Sequence, residues 1–187
     1  MAWGRAVKSR GRWQRATPPP LWLFSDPLRI PDLLAAVTLL PRGLCGVVFR
    51  HDAAEGRAHL ARAVQQACRQ RRLVMVVAGQ PVGGGWAGRH LRQGRGVAGH
   101  RFTTSSCHDV PAIRRARGAG AQISFLSPTF PTASHPGQPA LGILRWSLLA
   151  RRMTGIGVFA LGGIDGGNVR RLPRWVRGAG AIGALGP

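Results

Sequence analysis

The stretch Ala160-Leu161-Gly162-Gly163-Ile164-Asp165-Gly166-Gly167-Asn168 decides the reading of this chain. It begins at the end of a short apolar run of strand type, residues 157–161, and leads into a helix-like stretch, 168–176, interrupted by Pro173. A strand that enters a Gly-Gly turn at a helix start presents bare backbone N–H groups where the helix N-terminus also favours an anion. A second loop of related design lies upstream: Phe125-Leu126-Ser127-Pro128-Thr129-Phe130-Pro131-Thr132-Ala133-Ser134-His135-Pro136. Its Thr, Ser and His side chains add donors for a second anionic group. The two loops together predict a site for a phosphorylated small molecule at one end of a strand–helix repeat.

Outward from these loops the chain alternates strand and helix signals. Strands are expected at 21–25, 44–49, 73–78, 87–91, 101–105, 122–126, 157–161 and 181–185, and helices at 31–40, 54–71, 110–117, 140–152 and 168–176. The helix at 54–71 gathers Leu60, Ala61, Val64, Ala67 and Cys68 on one face. The run 73–78 is continuously apolar, as in a strand buried on both faces of a parallel sheet. Residues 79–99 are rich in Gly and Arg and hold at most one short strand. Alternation of this kind argues a parallel sheet. Eight units closing on themselves give a (β/α)8 TIM barrel; an open doubly wound sheet is the alternative. The Gly-Gly turn follows the seventh strand, where barrels commonly place a phosphate, and this favours the barrel. At 187 residues the barrel must be minimal or partly degraded, with helices missing around 79–99 and after the last strand.

Composition narrows the function classes. The net charge of +21 invites a nucleic-acid or polyanion reading. Lys8 is the sole lysine, however, all other cationic chains apart from histidine are arginine, and Gly, Ala and Pro abound. That pattern reads as coding bias. With no Tyr and a scatter of six Trp and six Phe, the aromatic interleaving of a nucleic-acid surface is missing. Residues 1–20, with Arg5, Lys8, Arg10, Arg12 and Arg15 before Pro18-Pro19-Pro20, read as a basic disordered tail, and 21–187 as one barrel domain. No apolar run reaches the roughly 20 residues that span a membrane, and no apolar h-region marks a secretory signal. Cys45, Cys68 and Cys107 form no paired framework. A reduced cytoplasmic setting is expected.

Ser106-Cys107-His108, Gly118-Ala119-Gly120-Ala121 and the two loops above resemble motifs of the thiamine phosphate synthase/TenI superfamily. Ser106-Cys107-His108 resembles its Ser-x-His at the fifth strand, and Gly118-Ala119-Gly120-Ala121 its lead into the sixth. Residues 127–135 resemble its Gly-Pro-x-Phe-Pro-Thr-x-Thr-Lys loop, followed by Leu141-Gly142; Ala160-Leu161-Gly162-Gly163-Ile164 with Asn168 resembles its Gly-Gly motif. The resemblance implies condensation of hydroxymethylpyrimidine diphosphate with thiazole phosphate, giving thiamine phosphate and diphosphate. For the TenI branch it implies aromatisation of a thiazole phosphate tautomer. It also implies Mg2+, held by one Asp after the third strand and one after the fourth. Here those positions fall near Ala78 and Arg95, so the carboxylate ligands are absent. Of the second-strand Gln-x-Arg-x-Lys only Arg50 is kept in Val48-Phe49-Arg50-His51-Asp52, and the loop Lys becomes His135.

These departures shape the expected site. Gly162, Gly163 and Gly183, with Ser106, Thr132, Ser134 and His135, are the candidate phosphate and diphosphate donors. Arg50, Arg92 and Arg95 are candidate substrate-binding residues. A guanidinium can hold diphosphate oxygens bidentately, so Arg92 and Arg95 are candidates to replace the metal. His108 is the catalytic candidate, because imidazole titrates near working pH. Cys107 beside it points to the opposite side of the strand, and Asp165 reads as a helix cap. The expected enzyme is a thiamine phosphate synthase. A metal-free TenI-type tautomerase, a catalytically retired phosphate binder and, less favoured, a nucleic-acid binder stand as alternatives. Oligomeric state is left open.

Overall fold

The computed structural model describes residues 18–52, 55–83, 86–96, 102–132, 137 and 139–185. Eight strands, β1 (Leu21–Phe24), β2 (Cys45–Phe49), β3 (Val74–Ala78), β4 (Gly88–Arg92), β5 (Thr103–Cys107), β6 (Ile123–Leu126), β7 (Gly157–Ala160) and β8 (Ala179–Ala181), close into a barrel in sequence order. Every pairing is parallel, from Leu21 against Cys45 round to Leu21 against Ala179. The barrel expectation holds.

Among the described residues four α-helices accompany the strands: α1 (Leu33–Leu39), α2 (Arg57–Gln70), α3 (Val110–Gly118) and α4 (Gly142–Arg151). Two begin at aspartate caps: Asp32 accepts from Ala35 N at 2.8 Å and Asp109 from Ala112 N at 2.7 Å. α2 turns Ala61, Val64 and Cys68 inward, as its apolar stripe predicts. Among the described residues no helix follows β3 or β4, so the barrel is thinned on that flank. Two sequence expectations are corrected. The stretch 168–176 forms only the short 3-10 turn Val169–Arg171, because Pro173 cannot continue a helix. The last strand is Ala179–Ala181 rather than 181–185, and Gly183–Leu185 is a 3-10 turn beyond it.

The barrel interior is filled by aromatic rings set against glycines. Phe125 stands edge-on to Trp22, Phe24 and Phe159, at centroid distances of 5.6, 4.8 and 5.7 Å. A Cβ added to Gly46 would lie 2.5 Å from Trp22 Cδ2, and one on Gly180 would lie 2.7 Å from Phe24 Cε2. Small residues on β2 and β8 therefore make room for large ones on β1. Outside the barrel are two separate apolar clusters. One joins β1–β3 and Ala181 of β8 to α1 and α2; the other joins β5–β7 and Ala179 of β8 to α3 and α4. Pro19 and Pro20, which the sequence assigns to the tail, contribute to the barrel's lower end. Pro19 O accepts from Trp22 Nε1 at 2.7 Å and Pro20 O from Ala179 N at 2.9 Å. The rest of the expected tail, residues 1–17, lies outside the described residues.

Candidate active site

Strand side chains alternate inward and outward, so a residue two places beyond an inner-layer side chain lies at the barrel mouth. Val48 leads to Arg50, His90 to Arg92, Thr104 to Ser106, Phe125 to Ser127 and Gly180 to Ile182. All five of those second residues line one cavity of about 590 Å³ at the C-terminal end of the strands. His108, Thr132, Gly162, Gly163 and Gly183 line it too. Eight of the sequence candidates are thus brought together: Arg50, Arg92, Ser106, His108, Thr132, Gly162, Gly163 and Gly183.

Three candidates remain. Ser134 and His135 lie outside the described residues. Arg95 is exposed and does not line the cavity. Gln93 and Gly94 carry φ of 54° and 70°, as in a type I′ turn, and Arg95 N donates back to Arg92 O at 2.9 Å. The reversal leaves Arg92 at the mouth and takes Arg95 off it.

The loops after β6 and β7 are locked together. Thr129 N and Thr129 Oγ1 donate to Leu161 O at 2.8 and 3.0 Å, and Phe130 N donates to Gly162 O at 3.0 Å. Asn168 Nδ2 donates to Gly163 O at 2.7 Å. The turn's carbonyls are thereby engaged, while among the described residues no acceptor faces the N–H groups of Gly162 and Gly163. Their φ values of 87° and 65° belong to glycine. Any Cβ would also strike the partner loop, 2.9 Å from Pro128 Cα for Gly162 and 2.8 Å from Phe130 O for Gly163. The result is a rigid turn with unspent amides beside a cavity, the arrangement an oxyanion favours.

On the opposite wall, Ser25 organises the β2 exit. Its Oγ accepts from Arg50 N at 2.8 Å and meets His51 Nδ1 at 3.0 Å; its carbonyl accepts from Arg50 Nε at 3.1 Å. Arg50 also stacks over Phe24, 5.5 Å from the centroid, and faces Asp26 at 3.7 Å. Burial pulls the Arg50 guanidinium below its ordinary pKa; Asp26 opposes this, while Arg92 and Arg29 add to it. Three guanidinium groups thus share one wall of the cavity.

His108 sits at the mouth with Nδ1 3.0 Å from Ser127 O and 3.1 Å from Ser127 Oγ. Donation from Nδ1 to the carbonyl leaves Nε2 as the basic nitrogen. Cys107 faces the outer core, fully buried, and burial raises its thiol pKa. Asp165 caps a turn: its Oδ1 accepts from Gly167 N and Asn168 N, each at 2.8 Å.

Sequence reasoning passed over Asp26, Ser127 and His90. His90 lies at the cavity floor, 3% exposed, with Nδ1 2.8 Å from Thr104 Oγ1 and its ring edge-on to Phe24. Burial, then the charge of Arg50, push its pKa down to about 3. The available signal was its two-residue step from Gly88 and to Arg92, which places all three on the inner face of β4.

A hard divalent cation takes several oxygen ligands, with carboxylates foremost. The residues present do not fit one. The β3 exit carries Ala78, and the cavity's described carboxylates, Asp26 and Asp165, are engaged by backbone amides. Among the described residues no three His, Cys, Asp or Glu side chains cluster as a metal site. Nor is any helix among them long and apolar enough to cross a membrane.

A family model described as thiamine monophosphate synthase matches residues 32–184. A thiamine-phosphate synthase from Mycolicibacterium vanbaalenii is 36% identical over 83 residues, 44% of this chain and 36% of that protein. The matched part therefore spans about a third of that relative's length. A thiamine phosphate pyrophosphorylase from Pyrococcus furiosus shares the fold, with a TM-score of 0.73 at 19% identity, covering 89% of this chain and 87% of that one.

Proposed function

This chain belongs to the thiamine monophosphate synthase family, and on that premise we propose that its cavity joins hydroxymethylpyrimidine diphosphate to thiazole phosphate, releasing thiamine phosphate and diphosphate. One observation carries the reading: Gly162 and Gly163, whose N–H groups meet no backbone acceptor among the described residues, line the same cavity as Arg50 and Arg92. Two anionic groups and a ring between them suit that geometry.

In this reading the Gly162–Gly163 turn, with Gly183 and Ser106, binds the thiazole phosphate. Thr132 binds the diphosphate, with Arg50 reaching it from the other wall; Ser134 and His135, which lie outside the described residues, are assigned to the same group on the sequence alone. The ring nitrogen of the thiazole attacks the pyrimidine methylene. Its lone pair forms the C–N bond as the C–O bond breaks, and that bond's electron pair leaves with the diphosphate. No proton has to be transferred. The chain's contribution is alignment of the two reactants and cationic stabilisation of the departing oxygens. A cytoplasmic setting accords with this chemistry and belongs to the same proposal.

A second reading rests on His108. Its Nδ1 contact with Ser127 O points to a basic Nε2 at the cavity mouth, suited to moving a proton in aromatisation of a thiazole phosphate tautomer. A turnover assay with both precursors, reading thiamine phosphate directly, separates the two. Product supports the synthase. Aromatisation of the tautomer without condensation supports the second reading. Saturable binding of thiazole phosphate without either product indicates a retired enzyme. Steeply salt-dependent association with RNA or DNA in place of these would indicate a polyanion binder.

A further inference from the structure

The β2–β4 corner of the cavity is built from arginines around one carboxylate. Asp52, just beyond β2, pairs with Arg92 at the end of β4, and its other oxygen lies 3.5 Å from Arg57 at the start of α2. Arg57 in turn donates to Ala78 O and Gln80 O, each at 2.7 Å, and Arg89 donates to Gly79 O at 3.3 Å. The three consecutive carbonyls at the β3 exit are therefore taken by guanidinium groups. Gly79, at φ 71°, leaves the space into which the Asp52 carboxylate fits; a Cβ there would overlap it.

This corner is where the family resemblance leads one to expect two metal-binding aspartates, and their place is held by fixed positive charge. Arg92 has a side chain 58% exposed at the cavity mouth. A guanidinium carries five N–H donors, so its pairing with Asp52 leaves others for a ligand. Arg50 and Arg29 line the same cavity. Arg92 and Arg29 both act against the charge of Arg50, which Asp26 only partly offsets, and a multiply charged anion entering the space relieves that repulsion.

We propose that Arg92 and Arg50 hold the diphosphate of the pyrimidine substrate directly, in place of a divalent cation, and that Asp52 is the positioning residue that keeps Arg92 at the mouth. The proposal rests on the synthase reading for the identity of the ligand. The clamp itself, a metal-independent site for diphosphate, is testable separately.

The probe is inorganic diphosphate, titrated calorimetrically into the full chain at 150 mM salt, once with EDTA and once with Mg2+. One equivalent is expected to bind with the same affinity, within about threefold, in both buffers. Arg92→Ala should weaken binding by about 10-fold or more, as loss of a charge-assisted bidentate contact does. Arg92→Lys, a second variant should the first fold poorly, should fall between the two because a point charge remains without the planar fork. Arg114→Ala, on the exposed face of α3, controls for the general positive charge and should bind as the parent does. Asp52→Asn should raise KM for the pyrimidine diphosphate and leave KM for the thiazole phosphate unchanged, with Asp52→Glu restoring part of the loss. A purely structural role for Asp52 would move both KM values together.

Binding that requires Mg2+, or that survives Arg92→Ala intact, overturns the clamp. Failure of the synthase reading looks different: no condensation occurs, yet diphosphate still binds in EDTA through Arg92. Condensation with a strict Mg2+ requirement gives the reverse, keeping the synthase and removing the clamp.

Discussion

His90 Nδ1 and Thr104 Oγ1 meet at 2.8 Å on neighbouring strands beneath the cavity floor. The contact holds a neutral imidazole in a setting where a charged one would be poorly solvated and would face Arg50. The folded-state pKa, at about 3, lies below the ordinary value near 6.5. Between these two values the unfolded chain binds the extra proton, so stability falls as pH drops below about 6.5 and stops falling near 3. At pH 5 the expected loss is about 2 kcal/mol. His51, shifted the same way chiefly by burial, adds to it. Denaturant titrations at several pH values should show this slope, and His90→Gln should reduce it to the part that His51 contributes.

The locked loops after β6 and β7 predict a severe effect of one methyl group. Gly163→Ala combines a positive φ with overlap onto the Phe130 and Pro131 carbonyls. A loss of about 2–4 kcal/mol is expected, together with loss of thiazole phosphate binding. Gly183→Ala is the contrast, since nothing lies within 4 Å of a Cβ there. Thermal melts and a thiazole phosphate titration on both variants test the difference.

In the interior, Gly46→Ala drives a methyl group into the Trp22 ring. Overpacking of this kind costs about 1–3 kcal/mol, and a chain of this size should lose several degrees of Tm. A truncation at Trp22 made together with Gly46→Ala should lose less than the two single changes added, which a double-mutant cycle measures.

His108 separates the two chemistries. Condensation needs no proton transfer, whereas aromatisation does. His108→Asn is expected to lower aromatisation of the tautomer by about 100-fold or more and condensation far less. Parallel assays of the two reactions on this variant read the ratio. An equal loss in both would mark His108 as a binding residue.

The sequence disclosed the barrel because seven of its strands carry Val, Ile, Leu, Phe or Thr bounded by turn residues, as in Val74–Ala78 and Ile123–Leu126. The eighth, Ala179-Gly180-Ala181, has no such signature. It is small because Phe24 from β1 fills the space above Gly180, and that demand is set by a residue more than 150 positions away. Gly162 and Gly163 were legible because a tight turn constrains residue type locally. Arg92 and Arg95 looked equivalent until the reversal at Gln93-Gly94 separated them. Asp26 and Asp52 drew no attention as site residues because their roles depend on Arg50, Arg57 and Arg92, which only closure of the barrel brings near.

The two outer apolar clusters, one behind β1–β3 and the other behind β5–β7, do not merge. The inner group of Trp22, Phe24, Val48, Val76, Ile123, Phe125, Phe159 and Leu161 draws on strands from both halves. Besides the closed ladder and β8, whose Ala179 and Ala181 sit in different outer clusters, that shared aromatic column is what couples the two halves in unfolding. If it loosens, each half keeps its own strand–helix packing, and the chain would come apart as two semi-independent folding units rather than one.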